Sequence, residues 1–140
     1  MKKLLVVLAL MFSTFLFAET ADECFKRGIE QANKGHYDSA IAELKKALEL
    51  SPGLAEYHLN LGVVYANKKE YDNAINEVEQ SVKINSSNSM AYYVLAMLYE
   101  KKKMKDKAIE AWGNVLTRNP AEDLKETATK HLKHLKEKAG

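Results

Sequence analysis

The feature that most constrains this 140-residue chain is that it matches itself at an offset of 34 residues. The alignment divides most of the chain into three units, residues 21–54, 55–88 and 89–122. Small residues recur in two columns of these units: Gly28, Gly62 and Ala96, and Ala40, Ala74 and Ala108. A repeat of this length is typical of supersecondary units that stack on one another, and small side chains at fixed places let their helices approach closely. We therefore expect three similar units packed side by side.

Each unit has the pattern of two helices joined by a short polar turn. In the second unit, apolar side chains follow the three-and-four spacing of one helix face: Tyr71, Ala74, Ile75, Val78 and Val82. The preceding residues, 67–70, predict the turn. Two prolines and six glycines are too few for the tight turns of an all-β chain of this length, so the composition also favours helices. A capping residue before proline, at Ser51-Pro52 and Asn119-Pro120, predicts two of the helix starts.

Large and small residues at fixed places in the second and third units carry a family resemblance. In the second unit, Leu61-Gly62, Tyr65, Tyr71 and Ala74 resemble the tetratricopeptide repeat (TPR), whose period is also 34 residues. The third unit repeats the pattern with Leu95-Ala96, Tyr99, Ala108, Trp112 and Pro120. The resemblance covers residues 21–122. It implies an all-α fold, a right-handed superhelix of three TPR helix-turn-helix repeats.

The two ends of the predicted stack differ from its middle. Arg27 and Gln31 stand where the later units have leucine and tyrosine, which suits a first helix whose outer side meets water. After the third unit, residues 123–140 are rich in lysine and glutamate with one apolar stripe: Leu124, Ala128, Leu132 and Leu135. We expect this segment to be a C-terminal capping helix.

Residues 1–18 have the pattern of a secretory signal peptide: Met1-Lys2-Lys3, then an apolar run from Leu4 to Phe17, then the small residue Ala18. As a helix the run would rise about 21 Å, short of the roughly 30 Å hydrocarbon core of a bilayer. We therefore expect cleavage after Ala18 and export, to the periplasm of a Gram-negative bacterium. If the segment is retained, it would anchor the protein in the inner membrane; if it is cleaved, no stable membrane insertion is expected.

Charge and motifs argue against several classes of function. Without Lys2 and Lys3 the chain carries as many basic as acidic residues, which removes the electrostatic case for nucleic-acid binding. The sequence contains no glycine-rich phosphate loop, nucleophile elbow or Cys-His signature, so we predict neither an enzyme nor a cofactor. His131 and His134 share one side of a helix but are too few to hold a metal, and we expect both to be solvated. The lone Cys24 is interpreted as a small buried hydrophobe, with a reactive thiol or an intermolecular bridge as alternatives.

The resemblance also implies where a partner would bind, because in this family the first helix of each repeat lines the concave face of the superhelix. Carried over column by column, the predicted partner-binding groove contains Phe25, Ile29, Asn33, Leu59, Val63, Asn67, Met90, Tyr93 and Met97. An extended or helical peptide could place apolar side chains on these rows while the two amides bond its backbone. The alternative is that these residues pack between neighbouring helices or are covered by the protein's own termini.

Some TPR proteins bind the acidic C-terminus of heat-shock chaperones through a clamp of lysine, asparagine and arginine on this surface. Only Asn60 matches that clamp here, while Phe25, Met90 and Val94 stand where cations are expected. We therefore do not expect a partner held by its terminal carboxylate.

These observations together predict an exported, non-enzymatic TPR adaptor that binds a protein or peptide in a concave apolar groove. Two alternatives remain open. One is a self-associating structural protein, which would make the chain a homo-oligomer. The other is an accessory subunit of an envelope complex, anchored in the inner membrane by an uncleaved N-terminal segment.

Overall fold

The computed structural model describes residues 18–137, so the predicted signal peptide lies outside the described residues apart from Ala18. Seven α-helices, here named α1 to α7, follow one another: Ala21–Asn33, Tyr37–Leu50, Ala55–Asn67, Tyr71–Ile84, Ser89–Lys101, Lys105–Leu116 and Glu122–Glu137. This part of the chain contains no strand, which confirms the all-α prediction. None of its helices is both long and apolar enough to cross a membrane.

The helices pack first as pairs and then as a stack. Within the pairs, α1 packs on α2, α3 on α4 and α5 on α6. Successive pairs meet where α2 packs on α3 and α4 on α5, and α7 packs on α6 at the end. The first helices of the pairs also contact each other, α1 with α3 and α3 with α5. Consequently α1, α3 and α5 share one face of the stack.

The same turn joins the two helices of each pair. At three positions 34 residues apart the backbone enters the left-handed region, with φ of 78° at Gly35, 67° at Lys69 and 59° at Lys103. The amide of the following residue then bonds back to the last turn of the first helix, as in Glu70 N to Tyr65 O at 2.8 Å. This is the Schellman arrangement, which satisfies carbonyl groups at a helix end and reverses the chain.

Side-chain caps mark the starts of α1 and α5. Thr20 and Glu23 form a reciprocal capping box, with Glu23 N donating to Thr20 Oγ1 at 3.2 Å and Thr20 N to Glu23 Oε2 at 2.9 Å. Asn88 Oδ1 accepts from the amide of Met90 at 3.0 Å.

The prediction that Ser51-Pro52 and Asn119-Pro120 begin helices is wrong, because α3 begins at Ala55 and α7 at Glu122. Ser51 N still bonds to Ala47 O at 2.9 Å and so ends α2.

Small residues allow the pairs to close. Gly28 lies against Leu44, and Gly62 lies against Val78 and the carbonyl of Ala74. Leu44, Val78 and Trp112 are equivalent residues of the three units, and all three are fully buried. The repeated columns therefore form the core within each pair.

Ion pairs link neighbouring units. Lys68 Nζ lies 2.8 Å from Asp38 Oδ1, and Lys102 Nζ lies 2.9 Å from Asp72 Oδ1, so each joins the turn of one unit to the second helix of the unit before. Hydrogen bonds to Asp38 and then Glu70 hold the pKa of the Lys68 ammonium above its usual range. The repeat thus fixes polar contacts between units as well as apolar ones.

The two ends of the stack are closed differently. At the N-terminal end, the Arg27 guanidinium donates to Glu43 Oε2 at 2.7 Å and also to Glu19. At the other end, Leu124 and Ala128 are buried, and Leu132 and Leu135 pack against the core. The apolar stripe of the terminal helix therefore covers the last pair, as the sequence indicates.

Candidate functional site

All nine residues of the predicted groove belong to α1, α3 and α5, the three helices that contact one another along the stack. Six of them are half-buried and pack against the core: Phe25, Ile29, Leu59, Val63, Tyr93 and Met97. Asn33 and Asn67 end α1 and α3 and are exposed, and Met90 is 48% exposed near the start of α5. The apolar residues of the predicted groove thus contribute to the core and still present surface to the outside.

A cleft of about 320 Å³ opens between α3 and α5. Four of the nine predicted residues line it, namely Val63, Asn67, Tyr93 and Met97. Its walls are largely apolar, and Lys101 is the one charged residue that lines it. The cleft has the mixture of apolar walls and a few polar groups that is typical of small binding sites.

The other predicted residues lie outside the cleft. Phe25 stacks on Tyr57, with ring centroids 4.5 Å apart and planes 16° from parallel, beside the buried residues Cys24 and Ala47. Phe25, Ile29, Leu59, Asn33 and Met90 do not line the cleft. The cleft is therefore formed by residues of the second and third units.

Buried contacts hold the Tyr93 wall of the cleft in place. The Tyr93 ring meets Trp112 edge to face, with centroids 5.5 Å apart and planes at 75°. Trp112 Nε1 donates to Glu100 Oε1 at 2.6 Å, and the His131 ring stacks on the indole at 4.5 Å. His131 Nδ1 also lies 2.7 Å from Glu100 Oε1. The expectation that His131 is solvated is therefore wrong, because α7 brings it onto the tryptophan; His134 is exposed.

Five residues that line the cleft were not in the predicted groove: Ala66, Tyr71, Val94, Leu98 and Lys101. Lys101 is the charged one among them. It occupies the same column as Asn33 and Asn67, so the 34-residue offset would have found it. Within residues 18–137, no carboxylate oxygen lies within 4.0 Å of its ammonium group, whereas Lys68 and Lys102 are both paired. Lys101 is therefore a cation available at one end of an apolar cleft.

Among the described residues, one further cluster has metal-ligating groups close together: Glu19, Cys24 and Glu43. The Arg27 guanidinium lies among them and bonds to both carboxylates. Cys24 is fully buried, and this burial, followed by a hydrogen bond to Glu19, raises the pKa of its thiol. The cluster is an ion-pair network at the N-terminal end of the stack.

Two polar residues of α3 that the sequence singled out make contacts within the fold. His58 Nδ1 lies 2.8 Å from Glu77 Oε2 on α4, as expected of a packed interhelical histidine. Asn60 Nδ2 donates to the Glu56 carbonyl of its own helix at 2.9 Å. The single match to the chaperone clamp is therefore occupied by an internal bond.

A second depression, of about 360 Å³, lies on the other side of the stack between α4 and α6. Charged residues form much of its rim: Glu79, Lys83, Lys107 and Glu110. Tyr99 donates to Glu79 at 2.6 Å across it, and burial together with this bond raises the pKa of the Tyr99 hydroxyl. Because its rim is charged and the Glu79 carboxylate already accepts a hydrogen bond from Tyr99, this depression is a weaker candidate than the cleft between α3 and α5.

Family models match most of the chain. A model described as TPR repeat matches residues 32–69, and two described as tetratricopeptide repeat match residues 55–88 and 90–121. These matches confirm the resemblance found in the sequence. No match was found among curated proteins.

Solved structures with the same fold include proteins with bound peptides. The first TPR of Spaghetti (RPAP3) bound to the HSP90 peptide SRMEEVD has a TM-score of 0.77 at 21% identity, covering 86% of this chain and 93% of its own. The Yersinia enterocolitica type III secretion chaperone SycD, in complex with a peptide of the translocator YopD, has a TM-score of 0.80 at 15% identity, with 85% and 94% covered. MamA has a TM-score of 0.70 at 26% identity, with 85% and 78% covered. These similarities confirm the TPR superhelix.

Proposed function

Because the chain belongs to the tetratricopeptide-repeat family, we propose that it is a non-enzymatic adaptor that binds a protein or peptide partner. The binding site is the cleft between α3 and α5. The observation that carries this proposal is an apolar cleft, lined by Val63, Tyr93 and Met97, on a face built from regular helices.

The position of the cleft suits recognition of a peptide. Its walls are side chains of α3, α5 and the start of α4, which pack into one core, so little ordering is needed when a partner binds. Trp112 packs against Tyr93, and His131 stacks in turn on Trp112, so the Tyr93 ring has a fixed support. A preorganised apolar site of this kind binds one or two anchoring side chains of a partner.

Two structural relatives support this reading by analogy, because their TPR folds are seen with peptides bound. Fold alone does not determine a ligand, so the proposal rests on the residues of the cleft in this chain.

We place the adaptor outside the cytoplasm, in the periplasm. The support for this placement is the N-terminal sequence, with its basic start, its apolar run and Ala18. Its partner would then be a protein of the cell envelope or an exported protein. Mass measurement of the native protein tests the placement, since a chain that retains residues 1–18 contradicts cleavage.

The binding proposal is tested by selection from a library of random linear peptides on immobilised protein. We expect wild type to enrich peptides that Met97→Asp does not bind, because a carboxylate in the cleft opposes burial of an apolar side chain. Ile84→Asp is the matched control, since Ile84 is 45% exposed and lies outside the cleft. Circular dichroism and Trp112 fluorescence establish that both variants fold.

Three results contradict the proposal. The first is that wild type enriches no peptide, and the second is that Met97→Asp and Ile84→Asp lose binding equally. The third is that sedimentation shows a dimer that dissociates in Met97→Asp. The last result assigns the cleft to self-association.

A further inference from the structure

We propose that the partner binds as an extended segment with an acidic side chain two residues away from its apolar anchor, and that this acid pairs with Lys101. The inference rests on the proposed function, because it describes the ligand of the same cleft. It adds the chemical class of the ligand, which is a peptide with an apolar residue and an aspartate or glutamate at a fixed separation.

The charges around the cleft favour an acidic group at one end. No carboxylate lines the cleft within the described residues, and Lys101 is its one charged residue. The neighbouring lysine Lys102 is already neutralised by Asp72, and Lys68 is neutralised by Asp38 and Glu70. The amide of Asn67 lies on the opposite wall and can add a donor to the same carboxylate. A partner with an acid at this end gains a charge-assisted contact that an apolar partner does not.

The separation of anchor and acid follows from helix geometry. Met97 and Lys101 are four residues apart on α5, which places them about 6 Å apart along the helix axis. An extended chain advances about 3.3 Å per residue, so two residues span this distance. Residues two apart in an extended chain also point to the same side, whereas neighbours point to opposite sides. For an extended chain, the rise per residue and the direction of the side chains both give a separation of two residues between the anchor and the acid.

The carboxylate is assigned to a side chain within the partner. The columns that the family resemblance associates with a clamp for a terminal carboxylate carry Phe25, Met90 and Val94 in this chain. One lysine and one amide match a single side-chain carboxylate better than a chain terminus with a second acid beside it.

The test uses a library of random linear peptides that are blocked at the N-terminus and joined to a carrier at the C-terminus, so that no free terminal carboxylate is present. We expect the selected peptides to share an aliphatic or aromatic residue and an aspartate or glutamate two positions away. In the best peptide, Glu→Gln should weaken binding to wild type roughly threefold to tenfold. Lys101→Gln should weaken binding of the Glu peptide to the same extent. The Lys101→Gln protein should also bind the Glu and Gln peptides equally.

Lys103→Gln is the matched control, because it removes the same charge two residues away and Lys103 does not line the cleft. It should bind the Glu peptide as wild type does. If Lys101 only stabilised the C-terminal end of α5 through the helix dipole, Lys101→Gln would lower stability. It would not change the discrimination between the Glu and Gln peptides.

The outcomes separate this inference from the proposed function. If wild type selects no peptide, both are wrong. If it selects peptides that Met97→Asp fails to bind, the adaptor proposal stands. The acidic partner is nevertheless rejected if wild type binds the Glu and Gln peptides equally, or if Lys101→Gln and Lys103→Gln bind the Glu peptide alike.

Discussion

Gly62 of α3 lies so close to Val78 of α4 that a Cβ at residue 62 would be 2.4 Å from Val78 Cγ2 and 3.1 Å from the Ala74 carbonyl oxygen. Real side chains do not approach to 2.4 Å, and Val78 is fully buried, so neither helix has room to yield. The distance between the two helices of the second pair is therefore set by the absence of a side chain at residue 62.

We expect Gly62→Ala to lower the free energy of unfolding by about 1–3 kcal/mol, because it overpacks the core between α3 and α4. Gly113→Ala in α6 is the control, since a Cβ there meets nothing within 4 Å. That variant should gain up to about 1 kcal/mol from better helix propensity. Urea unfolding followed by circular dichroism measures both. Equal effects of the two substitutions would contradict the close packing.

Lys69 has a backbone conformation that costs a lysine energy, with φ at 67°, while the equivalent residue of the first unit is Gly35 at 78°. Lys69→Gly should raise the free energy of unfolding by about 1 kcal/mol, because glycine adopts the left-handed region without strain. The reverse exchange, Gly35→Lys, should lower it by a similar amount. Thermal or urea unfolding of the two variants checks the pair, and a loss of stability in Lys69→Gly would contradict the assignment of the turn.

Local patterns in the sequence were sufficient to predict most of the fold. Helices, turns and the small columns depend on residues within one unit, and each unit provides the same evidence again. The starts of α3 and α7 are the exception. Ser51-Pro52 resembles a helix start, but the amide of Ser51 is still bonded to Ala47, so the end of one helix takes precedence over the beginning of the next.

The cleft was less predictable, because it depends on contacts between units. Periodicity placed Phe25, Leu59 and Tyr93 in one column, but it did not show that Phe25 stacks on Tyr57. It also did not show that α7 places His131 on Trp112. Both are contacts between side chains on different helices, and their geometry is set by tertiary packing. Lys101, in contrast, was within reach of column analysis.

Trp112 is the only tryptophan, so its fluorescence reports the junction of α5, α6 and α7. His131→Ala removes a ring stacked on the indole and a bond to Glu100. We expect it to lower the free energy of unfolding by about 1–2 kcal/mol and to shift the native emission to longer wavelength as water reaches the indole.

His134→Ala is the control for His131→Ala, because His134 is exposed three residues further along the same helix. It should change stability by less than about 0.5 kcal/mol. Urea unfolding followed by fluorescence compares the two variants. An unchanged emission spectrum in His131→Ala would show that the stack does not shield Trp112.

Cys24 provides a test of burial at the N-terminal end of the stack. Because burial raises the pKa of its thiol in the folded state, the unfolded chain loses this proton first as pH rises. The contribution of Cys24 to stability is therefore complete below the ordinary thiol pKa of roughly 8.5 and decreases above it. Wild type should lose more stability between pH 8 and 10 than Cys24→Ala does, since tyrosine and lysine titrations are common to both.

In wild type at pH 8, a thiol-specific disulfide reagent should also react with Cys24 far more slowly in the folded than in the unfolded protein. Equal alkaline losses in the two proteins, together with rapid labelling of the folded state, would contradict the burial of Cys24 and favour a reactive thiol.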